Sequence, residues 1–354
     1  MRLAALSDIH GNLPALEAVL ADARAQGVDA FLVAGDTVGG PGQQAAHDRL
    51  RALGAHMIRG NYEDYCLAFD RGIAPKAWWT SYQWSTLRWS YQHLDRETLD
   101  FIAALPDQRV VTLDRTAAVR VVHGSPSHPA EHLFPDNDPV ALEALRAAAL
   151  VPKRGARPLA AVLAGIDEAV LICGHSHVPW QQAGTDWLAL NAGSVGAPAN
   201  GDPRAQYMLL TWRAGRWRAE HRAVAYDMDV ATAAWHDSGL LAVGGSLARA
   251  WLLGMQRGQP LRGWFVAHLY QLAAKAGWAG GDLVPDEVWA EAVATFDWGS
   301  GSAAAPGCAP PPLTPLRSPP AASRRRRRAG RPGARRWPAT RRRRARSRML
   351  RPRG

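Results

Sequence analysis

The sequence predicts an α/β protein, a core of two sheets with helices on the outside. Three observations carry this. Over the first sixty residues an apolar run, a polar glycine-containing loop and a helix-period segment follow one another three times. An Asp, Asn or His stands at the C-terminal end of each run, where α/β sheets gather their sites. Beyond residue 108 short apolar runs resume and close in two alternating segments, 207–212 and 216–224, that turn at Ala214-Gly215.

The first run, Leu3 to Leu6, reads as a buried strand and ends in Ser7-Asp8-Ile9-His10-Gly11-Asn12. A helix over 13–26 follows, with Leu13, Leu16, Val19 and Leu20 on one face and Gly27 as its stop. Residues 29–36 form the second strand, Asp36 at its end, before the turn-rich Thr37-Val38-Gly39-Gly40-Pro41-Gly42 and a helix over 43–53. The third strand and loop, 55–61, run into Gly60-Asn61-Tyr62-Glu63-Asp64. Residues 75–105 are helical and aromatic. Trp78, Trp79, Trp84 and Trp89 read as core packing or a cap over the site, in preference to a substrate-facing role. Residues 108–122 form two strands turning at Asp114-Arg115 and lead into His123-Gly124-Ser125-Pro126. Helices are expected over 139–150 and 158–163, then a strand over 169–174 leading to His175-Ser176-His177, and a run over 187–191 leading to Ala192-Gly193-Ser194-Val195-Gly196. The segment 226–298 has helical character at 247–253, 264–274 and 286–296. It shows no cluster of ligand-type side chains and reads as an appendage packed on the core. The chain thus divides into a body over 1–225, a helical extension over 226–298 and a tail over 299–354.

The net charge of +11 is a property of the tail. Residues 299–354 hold 17 of the 42 basic side chains and no acidic one, so residues 1–298 carry 25 basic against 31 acidic, a net of −6. The tail's Ala, Pro, Gly, Ser and Arg cannot bury enough surface to offset chain entropy and are expected to be disordered. Its arginine runs at 324–328 and 341–344 suit weak polyanion binding. The same composition also arises when a G/C-rich gene is read out of frame. There is no run of 18 apolar residues and no basic-apolar leader, so neither a membrane span nor secretion is expected. Cys66, Cys173 and Cys308 are odd in number and unpatterned, which fits a reducing cytoplasm.

Asp8 and His10 are two apart at the mouth of a strand and so face the same way. With Asp36, Asn61, His123, His175 and His177 they make seven candidate ligands, all oxygen or imidazole nitrogen and none a thiolate. Any one of them alone reads as readily as a cap or a satisfied polar group. Together they suit two adjacent ions of borderline hardness. Two such ions about 3.5–4 Å apart clamp the attacking and leaving oxygens of a phosphate. Asp36 is the natural bridge between them.

These stretches resemble the five motifs of the calcineurin-like metallophosphoesterase superfamily: Ser7-Asp8-Ile9-His10-Gly11-Asn12, Gly35-Asp36, Gly60-Asn61, His123-Gly124 and Gly174-His175-Ser176-His177. Val122-His123-Gly124-Ser125-Pro126, Asn191 to Gly196 and Gly201-Asp202-Pro203-Arg204 are most similar to its small bacterial and archaeal phosphodiesterases, often labelled diadenosine-tetraphosphatase-like. The resemblance spans about residues 2–224. It implies a four-layer α/β/β/α sandwich of two mixed sheets flanked by helices. It also implies two divalent ions, manganese being the expected metal and nickel, iron, zinc or cobalt the alternatives. By motif position Asp8, His10, Asp36 and His177 would hold one ion, and Asp36, Asn61, His123 and His175 the other. A hydroxide bridging the ions would attack phosphorus in line. The activity implied is a phosphodiesterase acting on a small-molecule or nucleotide phosphoester. A phosphomonoesterase, a dinucleoside polyphosphate hydrolase, a catalytically weak metal-binding scaffold and a nuclease using the arginine tail are the alternatives.

One position departs from the pattern. Many members place a His after the Gly-Asn pair to protonate the leaving group or steady the transition state, and this chain has Tyr62 there. A Tyr is a far weaker acid than imidazolium. His128, close after His123, is the candidate replacement.

Overall fold

Strand β1 (Arg2–Leu6) lies at the centre of the first sheet because both its faces are apolar. Leu3 and Ala5 point one way and pack with Val121, Ile172 and Leu190 of the second sheet. Ala4 and Leu6 point the other way and pack with Leu16, Val19 and Leu20 of helix α1 (Leu13–Ala25). This computed structural model describes residues 1–136, 138–147, 159–281 and 283–299.

Helix α1 starts where Asn12 accepts the Ala15 amide and where Pro14 fits the first turn. It returns the chain to β2 (Ala30–Val33), which pairs parallel to β1 with Leu3 opposite Ala30 and Leu6 opposite Val33. Helix α2 (Gln43–Ala52) makes the same crossover to β3 (His56–Met57). The hairpin of β9 (Ala205–Arg213) and β10 (Arg216–Val224) completes the sheet from the other side, giving the order β10-β9-β1-β2-β3. The second sheet has the order β4-β5-β6-β8-β7, from β4 (Gln108–Val111), β5 (Val119–Val122), β6 (Val170–Cys173), β7 (Trp180–Ala183) and β8 (Leu188–Asn191). Strands β5, β6 and β8 run parallel, and β4 and β7 run antiparallel at the edges. Helices α7 (Pro139–Ala147) and α8 (Leu159–Leu163) cover its outer face. The four-layer α/β/β/α sandwich with two mixed sheets is as expected.

Three elements escaped the sequence reading. Asn61–Asp70 is helix α3, although it opens on four polar or aromatic residues that read as a loop. Strand β7 carries Gln181 and Gln182 and has no apolar run to announce it. Within the extension, which starts where expected, α9 (Met228–Asp237) falls outside the segments marked by periodicity and precedes α10 (Leu240–Arg257), α11 (Leu261–Lys275) and α12 (Asp286–Thr295).

The aromatic stretch forms α4 (Lys76–Thr80), α5 (Ser85–Gln92) and α6 (Arg96–Ala104). Trp78 and Trp89 are buried, as expected of core packing, in one cluster with Tyr62, Leu87, Trp235, Trp251 and Met255. Helix α10 therefore shares a core with α3 and α5. The tail beyond Gly299, with its arginine runs, lies outside the described residues, as do the ends of the helices expected over 139–150 and 158–163.

Candidate metal centre

Each ligand-type side chain sits where a parallel strand gives out. Asp8 and His10 follow β1, Asp36 follows β2, Asn61 opens α3 just after β3, His123 follows β5, and His175 and His177 follow β6. The backbone there is unusual. Asp8, His10, Asp36, His175 and His177 have φ between 46° and 68°, and among the described residues only Arg115 and Ala214 share this conformation without being glycine. A non-glycine residue in this region costs about 1–3 kcal/mol and persists only where its surroundings fix it. Here they do. The amides of Asp8, His10 and Gly11 donate to the carbonyls of Gly35, Asp36 and Thr37, and those of Gly174 and Gly196 donate to His123 and Asp8.

The side chains form two groups, Asp8 with His10 and His177, and Asp36 with His123 and His175. Within each group the ligand atoms lie within 4.8 Å of one another. In the first, His177 Nε2 is 3.3 Å from Asp8 Oδ1, and His10 Nε2 is 3.2 Å from His177 Nε2. In the second, His123 Nε2 is 3.3 Å from Asp36 Oδ2 and 3.0 Å from Asn61 Oδ1. Asp36 joins the groups, since its Oδ2 is also 3.8 Å from His10 Nε2.

Hydrogen bonds behind the ligands aim them. Nδ1 of His10, His123 and His177 lies 3.0, 2.7 and 2.6 Å from the carbonyls of Val38, Ala34 and Ala197. This fixes the proton on Nδ1 and turns the Nε2 lone pair inward, the arrangement of a metal-ligating histidine. Asp8 Oδ2 accepts the His175 amide while Oδ1 is buried with no partner. Asp36 Oδ1 accepts the Tyr62 amide, and Oδ2 faces His123 Nε2 at 3.3 Å. A buried carboxylate oxygen without a donor is costly, and a cation facing it would remove the cost. The donor set therefore fits two divalent ions.

Glu63 holds this geometry from behind and has no exposed surface. Its carboxylate accepts the amides of Asp36, Thr37 and Gly60 and the Thr37 hydroxyl. Gly60 has to be glycine, because a Cβ there would run into the Asp36 carboxylate.

Electrostatics follow from packing these groups together. Burial raises Asp36 to about 6, with His123 working against it. Burial also pushes on Asp8, but His177, His123 and His10 outweigh it and hold that carboxyl well below the usual range. Burial and the charge of His177 press His10 down to about 3. His123 goes the other way, to about 10, because Asp36 overcomes its burial. His177 is likewise raised against burial by Asp8.

The structure thus brings together all seven ligand candidates. Tyr62 is buried and packs edge-on against His10, ring centres 4.9 Å apart. His128 sits on the loop after β5, with Nδ1 accepting the Ala130 amide and its carbonyl accepting the Ser125 amide. Sequence reasoning missed four residues. Glu63 carries no signal of its own in the stretch Gly60-Asn61-Tyr62-Glu63-Asp64. His132 stacks on His175 at 4.4 Å with its Nδ1 buried and unpartnered, and burial presses it to about 4. Trp251 packs against both His10 and Tyr62, at 5.0 and 5.4 Å. Arg262 lies over Trp251 and Tyr62, at 4.8 and 5.8 Å. No motif marks Trp251 or Arg262, because each reaches the site from a helix nearly two hundred residues or more away from Tyr62 in sequence.

Residues 1–215 match the family model described as the calcineurin-like phosphoesterase superfamily domain. An uncharacterized protein of Methanocaldococcus jannaschii is 25% identical over 236 residues, 59% of this chain and 82% of its own length. The crystal structure of a metallophosphoesterase from Sphaerobacter thermophilus is similar at 25% identity and a TM-score of 0.54, covering 73% of this chain and 99% of that one. A hypothetical protein from Pyrococcus horikoshii shares the fold at 18% identity and a TM-score of 0.53, over 73% and 98% of the two chains.

Proposed function

Because this chain belongs to the calcineurin-like phosphoesterase superfamily, we propose that it is a phosphodiesterase dependent on two divalent ions, manganese being the expected metal. That it is a phosphoesterase follows from the family. The diester preference, the metal and a cytoplasmic location are our reading. No helix among the described residues is long and apolar enough to cross a membrane. The observation that carries the reading is the position of Asp36, whose Oδ2 stands 3.3 Å from His123 Nε2 and 3.8 Å from His10 Nε2, between the two ligand groups.

Asp8, His10, Asp36 and His177 would hold one ion, and Asp36, Asn61, His123 and His175 the other. Two ions bound there supply a nucleophile at neutral pH and offset charge on the phosphoryl oxygens. The protein's share is to fix the ligands before substrate arrives, through the Nδ1–carbonyl bonds of three histidines and the brace of Glu63. Burial raises the Tyr62 hydroxyl far above its ordinary range, which makes it a poor general acid for a leaving group. Esters whose leaving group departs as a stable anion are therefore favoured, and a small-molecule or nucleotide diester suits the site.

The test is hydrolysis of bis-p-nitrophenyl phosphate beside p-nitrophenyl phosphate by metal-stripped protein, with Mn, Ni, Zn and Mg restored singly. Diester cleavage that needs metal and disappears in Asp36→Asn supports the proposal. Preference for the monoester turns it into a phosphomonoesterase. No turnover with two ions bound per chain points instead to a metal-binding scaffold.

A further inference from the structure

We propose that Arg262, carried by the helical extension, is the residue that grips the phosphoryl oxygens of the substrate. This rests on the phosphoesterase reading of the metal centre and adds the recognition group that the family-type motifs of this chain lack.

The geometry is specific. Helix α10 ends at Gly258, whose left-handed backbone, φ 66°, packs so closely on Asp202 that a Cβ would not fit. The Gly258 carbonyl also accepts the Gly201 amide at 2.8 Å. This contact anchors the turn into α11, so Arg262 is placed by the fold and not by a free loop. Its guanidinium lies 4.8 Å from the Trp251 ring centre and 5.8 Å from that of Tyr62. Both rings in turn pack on His10, at 5.0 and 4.9 Å. A guanidinium held on aromatic faces beside the metal ligands keeps its charge, gives up little side-chain freedom and leaves its N–H fork for another partner.

No such partner is present among the described residues. Arg262 forms no ion pair, and its Nε is buried without a hydrogen bond. Several arginines of the body are paired with carboxylates: Arg49 with Glu17, Arg59 with Asp64, Arg120 with Glu168 and Arg222 with Asp22. A guanidinium has five donors and no acceptor, and its fork matches two phosphoryl oxygens. Arg262 also stands beside Tyr62, the position at which an imidazole is absent.

The alternative is that Arg262 only fastens the extension to the body through its aromatic contacts. Inorganic phosphate binding to full-length, Mn-loaded protein, followed by calorimetry, separates the two. The variants are Arg262→Met, which keeps the stem, and Arg262→Lys, which keeps the charge without the fork. We expect Arg262→Met to weaken phosphate binding by about tenfold or more and Arg262→Lys to fall between it and the parent. Two ions per chain and the urea midpoint should be unchanged, and KM for the diester should rise with a smaller change in kcat. Phosphate affinity in Arg262→Met within twofold of the parent would overturn the proposal. So would a parent that binds no phosphate, or an affinity loss that tracks loss of metal. If the parent cleaves neither ester yet binds phosphate through Arg262, the activity assigned above fails and this one stands.

Discussion

The Nε2 atoms of His10 and His177 lie 3.2 Å apart, each ring fixed from behind by a backbone carbonyl on its Nδ1. Asp8 Oδ1, buried and without a partner, faces the same point. These ligand atoms converge on one point, and the Asp8 oxygen without a hydrogen bond is best satisfied by a cation there. Chelation should therefore lower thermal stability, and restoring Mn should recover it. At a free ion concentration of about 100–1,000 times Kd the gain is about 3–4 kcal/mol per site, a shift of several degrees. Asp36 raises His123 to about 10, so at pH 7 the stripped protein holds a proton there that the metal must expel. Metal titrations at pH 6 and 8 should show weaker uptake at pH 6, and equal melting temperatures with and without chelator would refute the site.

Glu63 accounts for the rigidity of Asp36. It binds the Asp36, Thr37 and Gly60 amides at 2.9, 2.7 and 2.8 Å, so the ends of β2 and β3 hang on one buried carboxylate. Hydrogen bonds to a buried charged group are worth about 1.5–3 kcal/mol each, and they are not additive. Glu63→Gln keeps the shape but replaces one acceptor oxygen with a donor that faces amides. We expect it to cost about 2–4 kcal/mol in urea unfolding and to lower bound metal measured by atomic emission. Full metal occupancy with unchanged stability would show that the brace is dispensable.

The sandwich and the ligands were legible because they are local. Each ligand follows an apolar run by one to four residues, so period and punctuation find it, although Asp8 and His10 face one point through left-handed backbone past β1 and not through strand alternation. Helix α3 was not legible, because Asn61-Tyr62-Glu63-Asp64 reads as loop until Glu63 is seen capping the Gly60 amide. Nor was the aromatic wall. The tryptophans concentrated in 75–105 include the core residues Trp78 and Trp89, while the ring beside His10 is Trp251. Periodicity marks which face of α10 is buried and is silent on what it is buried against.

Asp22 ties helix α1 to the edge strand β10 and gives stability a pH dependence. Arg222 Nε and Nη2 donate to its carboxylate at 2.7 and 2.9 Å, and the Tyr207 hydroxyl donates at 2.6 Å. Arg222 first, with Tyr207 helping and burial opposing, holds the Asp22 carboxyl below the ordinary carboxylate range. A carboxyl depressed on folding contributes stability above its unfolded pKa, and the contribution is lost as pH falls through the folded one. The urea midpoint of the parent should exceed that of Asp22→Asn at pH 6, and the gap should narrow towards pH 3. A gap that stays constant over that range would remove the ion pair as its cause.

Tyr62 is the residue whose replacement discriminates best between chemistry and packing. Its ring touches His10, Tyr65 and Trp251, and a Cβ on Gly39 would strike it, so the ring is part of the wall of the site. Its hydroxyl has no partner, and burial, with Asp36 adding to it and Arg262 opposing, keeps it protonated well past neutral pH. A phenol in that state is a weak proton donor to a leaving group. Tyr62→Phe should therefore keep kcat/KM within about threefold, since a missing general acid costs about a hundredfold or more. Losing an unsatisfied buried hydroxyl should also leave the protein as stable as the parent or about 1 kcal/mol more so. Tyr62→Ala, by contrast, removes the ring under Arg262 and beside His10, and should lose about 3–5 kcal/mol of stability together with the activity. A Tyr62→Phe rate reduced a hundredfold at unchanged metal content would restore the hydroxyl to the mechanism.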